Sequence, residues 1–341
     1  MSPRVALVCA DPGIPWLGCG GASSHLRGLA AGYVQAGATV QAWVARLAPH
    51  PGRASALSPP GVHVRQGPSS GFGSWIRARV AAFDPDLVHQ RHALQDIGPL
   101  PGRRLVEVNA PLTWEGALFR GRRARRSDLD RELGAIRHAT AVLVVSAPLQ
   151  RWLASHGVSS HVVPNGVPAR APSRPPDDGP FVLGFEGSFK AWHGLLESAP
   201  SLEGLAASLA PRALTVELVG DGPLRSAVQA ALPAARWLGE LDPAGLAAAR
   251  RRWHAVWSPA APWPPPGPMA RLQERLGEPL PDRWFDPLKE AEAAAAGLPV
   301  WRSGPELEPP APPPHTWAEV AARLLAPLAG DVELWNDGTP P

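Results

Sequence analysis

The stretch RVALVCADPGIPWLGCGGASSHLRGLAAGYVQAGATVQAWV, residues 4–44, decides the fold. Residues 4–10 form an almost purely apolar run, the pattern of a strand covered on both faces of a parallel sheet. A Gly-rich loop follows at 11–21. Residues 22–36 then set Leu26, Leu29, Ala30 and Tyr33 at helical spacing. Gly37 stands where a left-handed residue closes a helix, and 39–44 reads as a second strand. Strand, loop, helix and strand make a βαβ unit.

The same rhythm runs outward along the chain. Strands are expected at 62–65, 87–90, 104–108, 141–146 and 161–163, with helices at 75–83, 128–138 and 147–156. Residues 167–180 are rich in Pro, Arg and Asp, a linker composition. A second series follows, with strands at 181–186, 214–219, 255–258 and 299–302 and helices at 195–209, 224–231 and 288–296. Residues 260–281 read as Pro-rich and irregular around a short helix at 269–276, and 317–325 as a last amphipathic helix. No internal repeat interrupts the series. The expectation is an α/β protein with two doubly wound Rossmann-like domains. Their bounds are 1–166 for the first, 167–179 for a linker, 180–314 for the second and 315–341 for a terminal helix and tail. In such sheets ligands bind beyond the carboxyl ends of the strands, so the expected site is the cleft between the domains.

Composition narrows the class. A chain of 341 residues suits two domains. Its 43 prolines are many, but a hydrophobic content of 45% excludes a wholly disordered chain. A net charge of +3 provides no strong field for nucleic acid. Cys9 and Cys19 cannot build a disulfide framework. No apolar run reaches the roughly 18–20 residues that span a bilayer, and no signal peptide precedes the first strand, so a soluble cytoplasmic protein is expected. Of the 33 basic residues only Lys190 and Lys289 are lysine, which singles both out.

Four segments could carry chemistry. Gly18-Cys19-Gly20-Gly21 could present backbone amides to a phosphate at the start of a helix, or be a flexible turn. It is no dinucleotide fingerprint, since its glycines lie too far from the strand and no acid ends strand two. Lys190 and His193, in FEGSFKAWHG at 185–194, follow the first strand of the second series and could pair with a diphosphate. Gly220-Asp221-Gly222 is a strand-end turn that a planar base could approach. In FDPLKEAE at 285–292, Asp286 suits an N-cap and Pro287 a first helical turn. Lys289 adds charge to the free amides there, and Glu292, about 1.4 turns in, can accept from a ribose diol. The run Arg120–Arg126 could meet an acidic acceptor or an anionic lipid, or be a solvated surface.

In this order the motifs resemble the family 4 glycosyltransferases, which have the GT-B fold. The matching stretches are GGASSHLRGLA at 20–30, DLVHQRHAL at 86–94, EVNAPL at 107–112, VVPNGV at 162–167, GFEGSFKAWHG at 184–194, LVGDGPLR at 218–225 and FDPLKEAEAAAAGLPV at 285–300. The resemblance implies a retaining, metal-independent transferase of the hexosyltransferase type. The donor would be a nucleotide-diphosphate sugar, with UDP favoured, acting as co-substrate with no cofactor. Gly20 and Gly21 would approach the diphosphate or the acceptor, Gly187, Ser188, Asp286, Pro287 and Leu288 would bind the donor, and Gly220 and Gly222 would border the base. Glu292 would hold ribose. Lys190, His193, Lys289 and Asn109 would serve the reaction, while His25, Arg91, Glu107 and Glu115 would lie on the acceptor side.

The chain also departs from the family pattern. Ser188 stands where the usual Arg is, His193 where the usual Lys is, and Trp284 where the first acid of the paired-Glu motif is. Asn109 replaces a cleft His, and the passage after Val300 is short and Pro-rich. Two other readings share the donor site: a non-catalytic nucleotide-sugar-binding partner of another transferase, and a GT-B epimerase or phosphorylase. Peripheral membrane contact through Arg120–Arg126 is compatible with the transferase reading.

Overall fold

The computed structural model describes residues 2–68, 70–94, 97–168, 179–263, 269–285, 287–311 and 315–328. Seven strands form the first sheet: β1 (Arg4–Cys9), β2 (Thr39–Val44), β3 (Val62–Gln66), β4 (Leu87–Arg91), β5 (Arg103–Val108), β6 (Ala141–Val144) and β7 (His161–Val162). Their spatial order is β3-β2-β1-β4-β5-β6-β7. Five more form the second: β8 (Phe181–Glu186), β9 (Leu214–Val219), β10 (Arg236–Gly239), β11 (Ala255–Trp257) and β12 (Val300–Trp301), in the order β10-β9-β8-β11-β12. Every pairing is parallel.

Strand β1 shows why its sequence is apolar after Arg4. Val5, Leu7 and Cys9 pack on one face of the sheet, and Ala6, Val8 and Ala10 join a separate core on the other. With both faces covered, no position from Val5 to Cys9 is left for a polar side chain, and only Arg4, at the exposed start of the strand, is charged. Each sheet reverses its strand order beside its first strand, between β1 and β4 and between β8 and β11. Those reversals part the crossover helices and open a crevice at the strand ends.

The chain joins the two sheets more than once. Helix Trp317–Leu325 returns to the first sheet and packs against helix Gly21–Gln35, with Trp317, Val320, Ala321 and Leu324 in one core with Leu26, Leu29 and Tyr33. Their approach is close: a Cβ on Gly32 would stand 2.2 Å from the Trp317 carbonyl oxygen. The segment before Pro287 also crosses. Leu272, Leu276 and Trp284 lie in the core formed by β5, β6, Trp114 and Trp152. Glu278 there accepts from the Trp114 indole, and its other oxygen lies 2.5 Å from His156. Residues read from sequence as an irregular part of the second domain therefore cover the first sheet.

Other differences are local. The helix expected over 195–209 divides into Leu195–Ser198 and Ser201–Ser208, because Pro200 lacks the amide that would continue it. Helices Leu112–Phe119 and Pro243–Arg250, and edge strand β10, have no counterpart in the sequence expectation.

Candidate active site between the two sheets

A cavity of about 760 Å³ lies between the carboxyl ends of the sheets, with walls from both. Two helices begin at it. Helix Gly21–Gln35 starts at Gly20 with no side-chain cap, and a Cβ on Gly20 or Gly21 would meet nothing within 4 Å. Its first amides are thus open to a ligand. Across the cleft, helix Leu288–Ala295 starts at Pro287, again with no side-chain cap. Pro287 and Leu288 both line the cavity, while Asp286 lies outside the described residues.

Lys289 is the most unusual cation here. It lines the cavity yet is only 8% exposed, and its Nζ has no hydrogen-bond partner. It sits over the Phe185 ring, with Nζ 4.4 Å from the centroid. Burial pushes its pKa down to about 8; Glu186 and Glu290 counter part of that effect and Arg283 adds to it. A buried ammonium with nearby carboxylates but no direct hydrogen-bond partner is costly until an acceptor arrives. Lys190 comes from the loop after β8 and sits over Trp192, with Nζ 4.5 Å from the ring centroid. Burial, with Arg120 beside it, also lowers its pKa. His193 is 3.5 Å from the Ser188 hydroxyl. Burial, reinforced by Lys289 and Lys190, holds it well below the usual histidine range. It is therefore a neutral imidazole at pH 7, able to offer a hydrogen bond rather than charge.

The turn that carries Gly220 and Gly222 has a packing reason for both residues. A Cβ on Gly220 would stand 1.9 Å from the Gly187 carbonyl oxygen, and one on Gly222 1.7 Å from that of Ser188. The two loops press together, which holds the Gly187–Lys190 loop in place. Gly187, Ser188 and Gly220 line the cavity, whereas Gly222 lies behind it.

Glu292 reaches the cavity, but not alone. Arg250, 3% exposed, donates through Nε to Glu186 at 2.8 Å, and its NH2 group bonds both Glu186 and Glu292. Burial disfavours the Arg250 charge, but Glu186 and Glu292 outweigh it and raise its pKa. Burial, with Glu292 nearby, raises that of Glu186 in spite of Arg250. Sequence reasoning missed both Glu186 and Arg250. A signal existed for the helix carrying Arg250, since Asp242-Pro243 is a cap followed by Pro at the first turn. The Asp242 carboxylate indeed accepts from Gly245 N at 2.7 Å.

On the first-sheet side, Asn109, Arg91 and Glu115 line the cavity. The Asn109 Oδ1 is buried and without a partner, and Glu115 pairs with Arg120, another cavity residue. His25 and Glu107 do not line it. They lie beneath, where Glu107 binds His25 at 2.9 Å, His89 at 3.0 Å and Arg91 at 2.9 Å. Burial alone would raise the Glu107 pKa, but His25, His89 and Arg91 hold it well below the usual carboxylate range. This buried network supports Arg91 from below. Across the cleft mouth, Arg53 pairs with Asp221 at 2.9 Å and Glu240 at 3.4 Å, a link between the sheets that sequence reasoning also missed.

Two parallel sheets, facing strand ends and a closing helix that returns to the first sheet match a known architecture. The fold is GT-B. Its GT-B neighbours include sucrose-phosphate synthase from Thermosynechococcus elongatus, 18% identical with a TM-score of 0.62, covering 87% of this chain and 80% of that one. AviGT4, a glycosyltransferase involved in avilamycin A biosynthesis, is 18% identical with a TM-score of 0.61 over 96% of this chain and 99% of its own. Anabaena HepE, solved with UDP and glucose, is 17% identical with a TM-score of 0.55 over 87% and 80%. Residues 19–170 match the family model of Glycosyltransferase Family 4. The resemblance read from the motifs therefore holds, and family match and GT-B fold together support a glycosyltransferase. No curated protein sequence matches the chain.

Proposed function

We propose that this GT-B protein is a retaining, metal-independent transferase moving a hexosyl group from a nucleotide-diphosphate sugar, first a UDP-sugar, to an acceptor held by the first sheet. One observation carries this reading: the buried, unpartnered Lys289 ammonium in the cavity, at the start of helix Leu288–Ala295. A diphosphate is the ligand chemistry that gives its Nζ the direct partner it lacks and also accepts from the open helix amides. HepE, a neighbour of the same fold, was solved with UDP and glucose, which favours UDP as the first donor to test.

In this reading the bond from the anomeric carbon to the diphosphate oxygen breaks, and its electron pair leaves with the phosphate. The acceptor oxygen bonds the anomeric carbon on the same face, and its proton passes to the departing phosphate. Lys289, Lys190 and the helix amides stabilise the charge that grows there. Neutral His193 contributes a hydrogen bond, and Glu292 takes the ribose. The Asn109 Oδ1 can accept from a hydroxyl on the first-sheet side. The two facing sheets limit water at the bond being broken. A cytoplasmic enzyme, touching a membrane at its surface through Arg120–Arg126, fits the same reading. Among the described residues no helix is long and apolar enough to cross one.

A thermal-shift panel of UDP, GDP, ADP and their sugars tests the donor site, because a ligand bound only by the folded state raises Tm. UDP and UDP-sugars should give the largest rise. No rise with any of them sinks the proposal. Mass spectrometry of products from the best donor then separates transfer to an acceptor from release of a free sugar phosphate.

A further inference from the structure

Arg250 is buried at the end of helix Pro243–Arg250, outside every motif that pointed to the cleft. Its guanidinium lies between two carboxylates that both line the cavity, Glu186 from the end of β8 and Glu292 from helix Leu288–Ala295. Both Glu186 oxygens accept from it, through Nε and NH2. Glu292 gives it only Oε2. Among the described residues Oε1 of Glu292 has no hydrogen-bond partner. The Arg250 NH1 is buried and without a hydrogen-bond partner.

We propose that Arg250 is a positioning residue for donor recognition: by fixing Oε2 of Glu292 it aims the remaining oxygen at the ribose hydroxyls of the nucleotide. This rests on the donor reading above and names the device behind its ribose contact. Two carboxylates on adjacent elements repel, and without a cation between them Glu292 would rotate away or take up a proton. A planar, rigid guanidinium holds both at once in a way a lysine ammonium cannot. Glu186 completes the arrangement by occupying the Nε edge, so that Arg250 itself has one orientation. The charges of Arg250 and Lys289 balance those of Glu186 and Glu292, so the incoming diphosphate meets no net repulsion.

The test compares binding of UDP with 2′-deoxy-UDP, and GDP with 2′-deoxy-GDP, by titration calorimetry. The proteins are wild type, Glu292→Gln, Arg250→Met and Arg250→Lys. Wild type should prefer the ribonucleotide by about tenfold or more, since a hydrogen bond to a charged group is lost with the hydroxyl. Glu292→Gln and Arg250→Met should bring that ratio close to one, and Arg250→Lys should keep part of it. A merely structural arginine would weaken both nucleotides together and leave the ratio alone. An Arg250→Met protein that discriminates as wild type does overturns the positioning role and leaves the donor reading standing. So does a wild type that binds both nucleotides equally. A wild type that binds none of the four overturns both readings. If Arg250→Met does not fold, Glu186→Gln/Arg250→Met removes the stranded charge with the cation and is read by the same ratio.

Discussion

Lys289 is the residue on which the site turns. Its pKa of about 8 means that the ammonium is present at neutral pH and lost as pH rises through that value. Donor affinity should then fall across pH 7–9, and Lys289→Ala should remove that limb of the profile, measured as KM for the donor against pH. The same substitution should lower kcat by about 10²–10³-fold, the usual effect of removing one group that stabilises developing charge. Turnover unchanged in Lys289→Ala would count against any role in the reaction. Stability should move the opposite way. A buried ammonium without a partner costs the folded state, so Lys289→Met should raise the Tm of the ligand-free protein at pH 7 while losing the rise given by UDP. His193 shows what burial does to a histidine: dry, and with both lysines near it, it serves as a neutral group, which its residue type alone could not establish.

At the scale of elements, close backbone approach accounts for Gly32, Gly220 and Gly222, whereas Gly20 and Gly21 have open space beside them. Gly32→Ala would push a methyl against the Trp317 carbonyl and separate two packed helices. A loss of about 1–3 kcal/mol is expected from such overpacking, read by urea denaturation. Gly222→Ala should act differently, because it displaces the Gly187–Lys190 loop from behind. Its effect should appear as a raised donor KM beyond what the stability change explains. An unchanged KM would show that the loop adapts. The strands were legible because periodicity reports burial: β1 is apolar where both faces are covered, and β2, β8 and β9 have the bounds expected. Strand β10 was not, since RWLG at a sheet edge is short and only half-buried. Of the cleft residues, Lys190, Asn109, Lys289 and Glu292 were legible through motifs. Arg250 and Glu186 were not, because each is one of many charged residues until the fold sets them against each other.

At the scale of the molecule, the crossing segment before Pro287 joins the stability of the two sheets. Trp284, 1% exposed, packs with Trp114, Trp152 and Leu149 of the first-sheet core, and its carbonyl accepts from Ser146 at 3.1 Å. Trp284→Ala should cost about 3–5 kcal/mol, and unfolding by denaturant should split into two transitions as the sheets uncouple. A single transition, shifted intact, would show that the closing helix alone keeps the sheets together. The sequence by itself determined the α/β rhythm, the two-sheet plan and the strand-end motifs that face the cleft, because these follow from local periodicity and from the residue types that helix starts and tight turns require. Only the tertiary structure decided that residues 269–285 cover the first sheet, that Glu107 lies beneath the cavity, and that Arg250 binds Glu186 and Glu292. Those contacts join positions far apart in the chain. Their energies depend on burial and on the geometry of facing charges, neither of which is written in the spacing of residues along it.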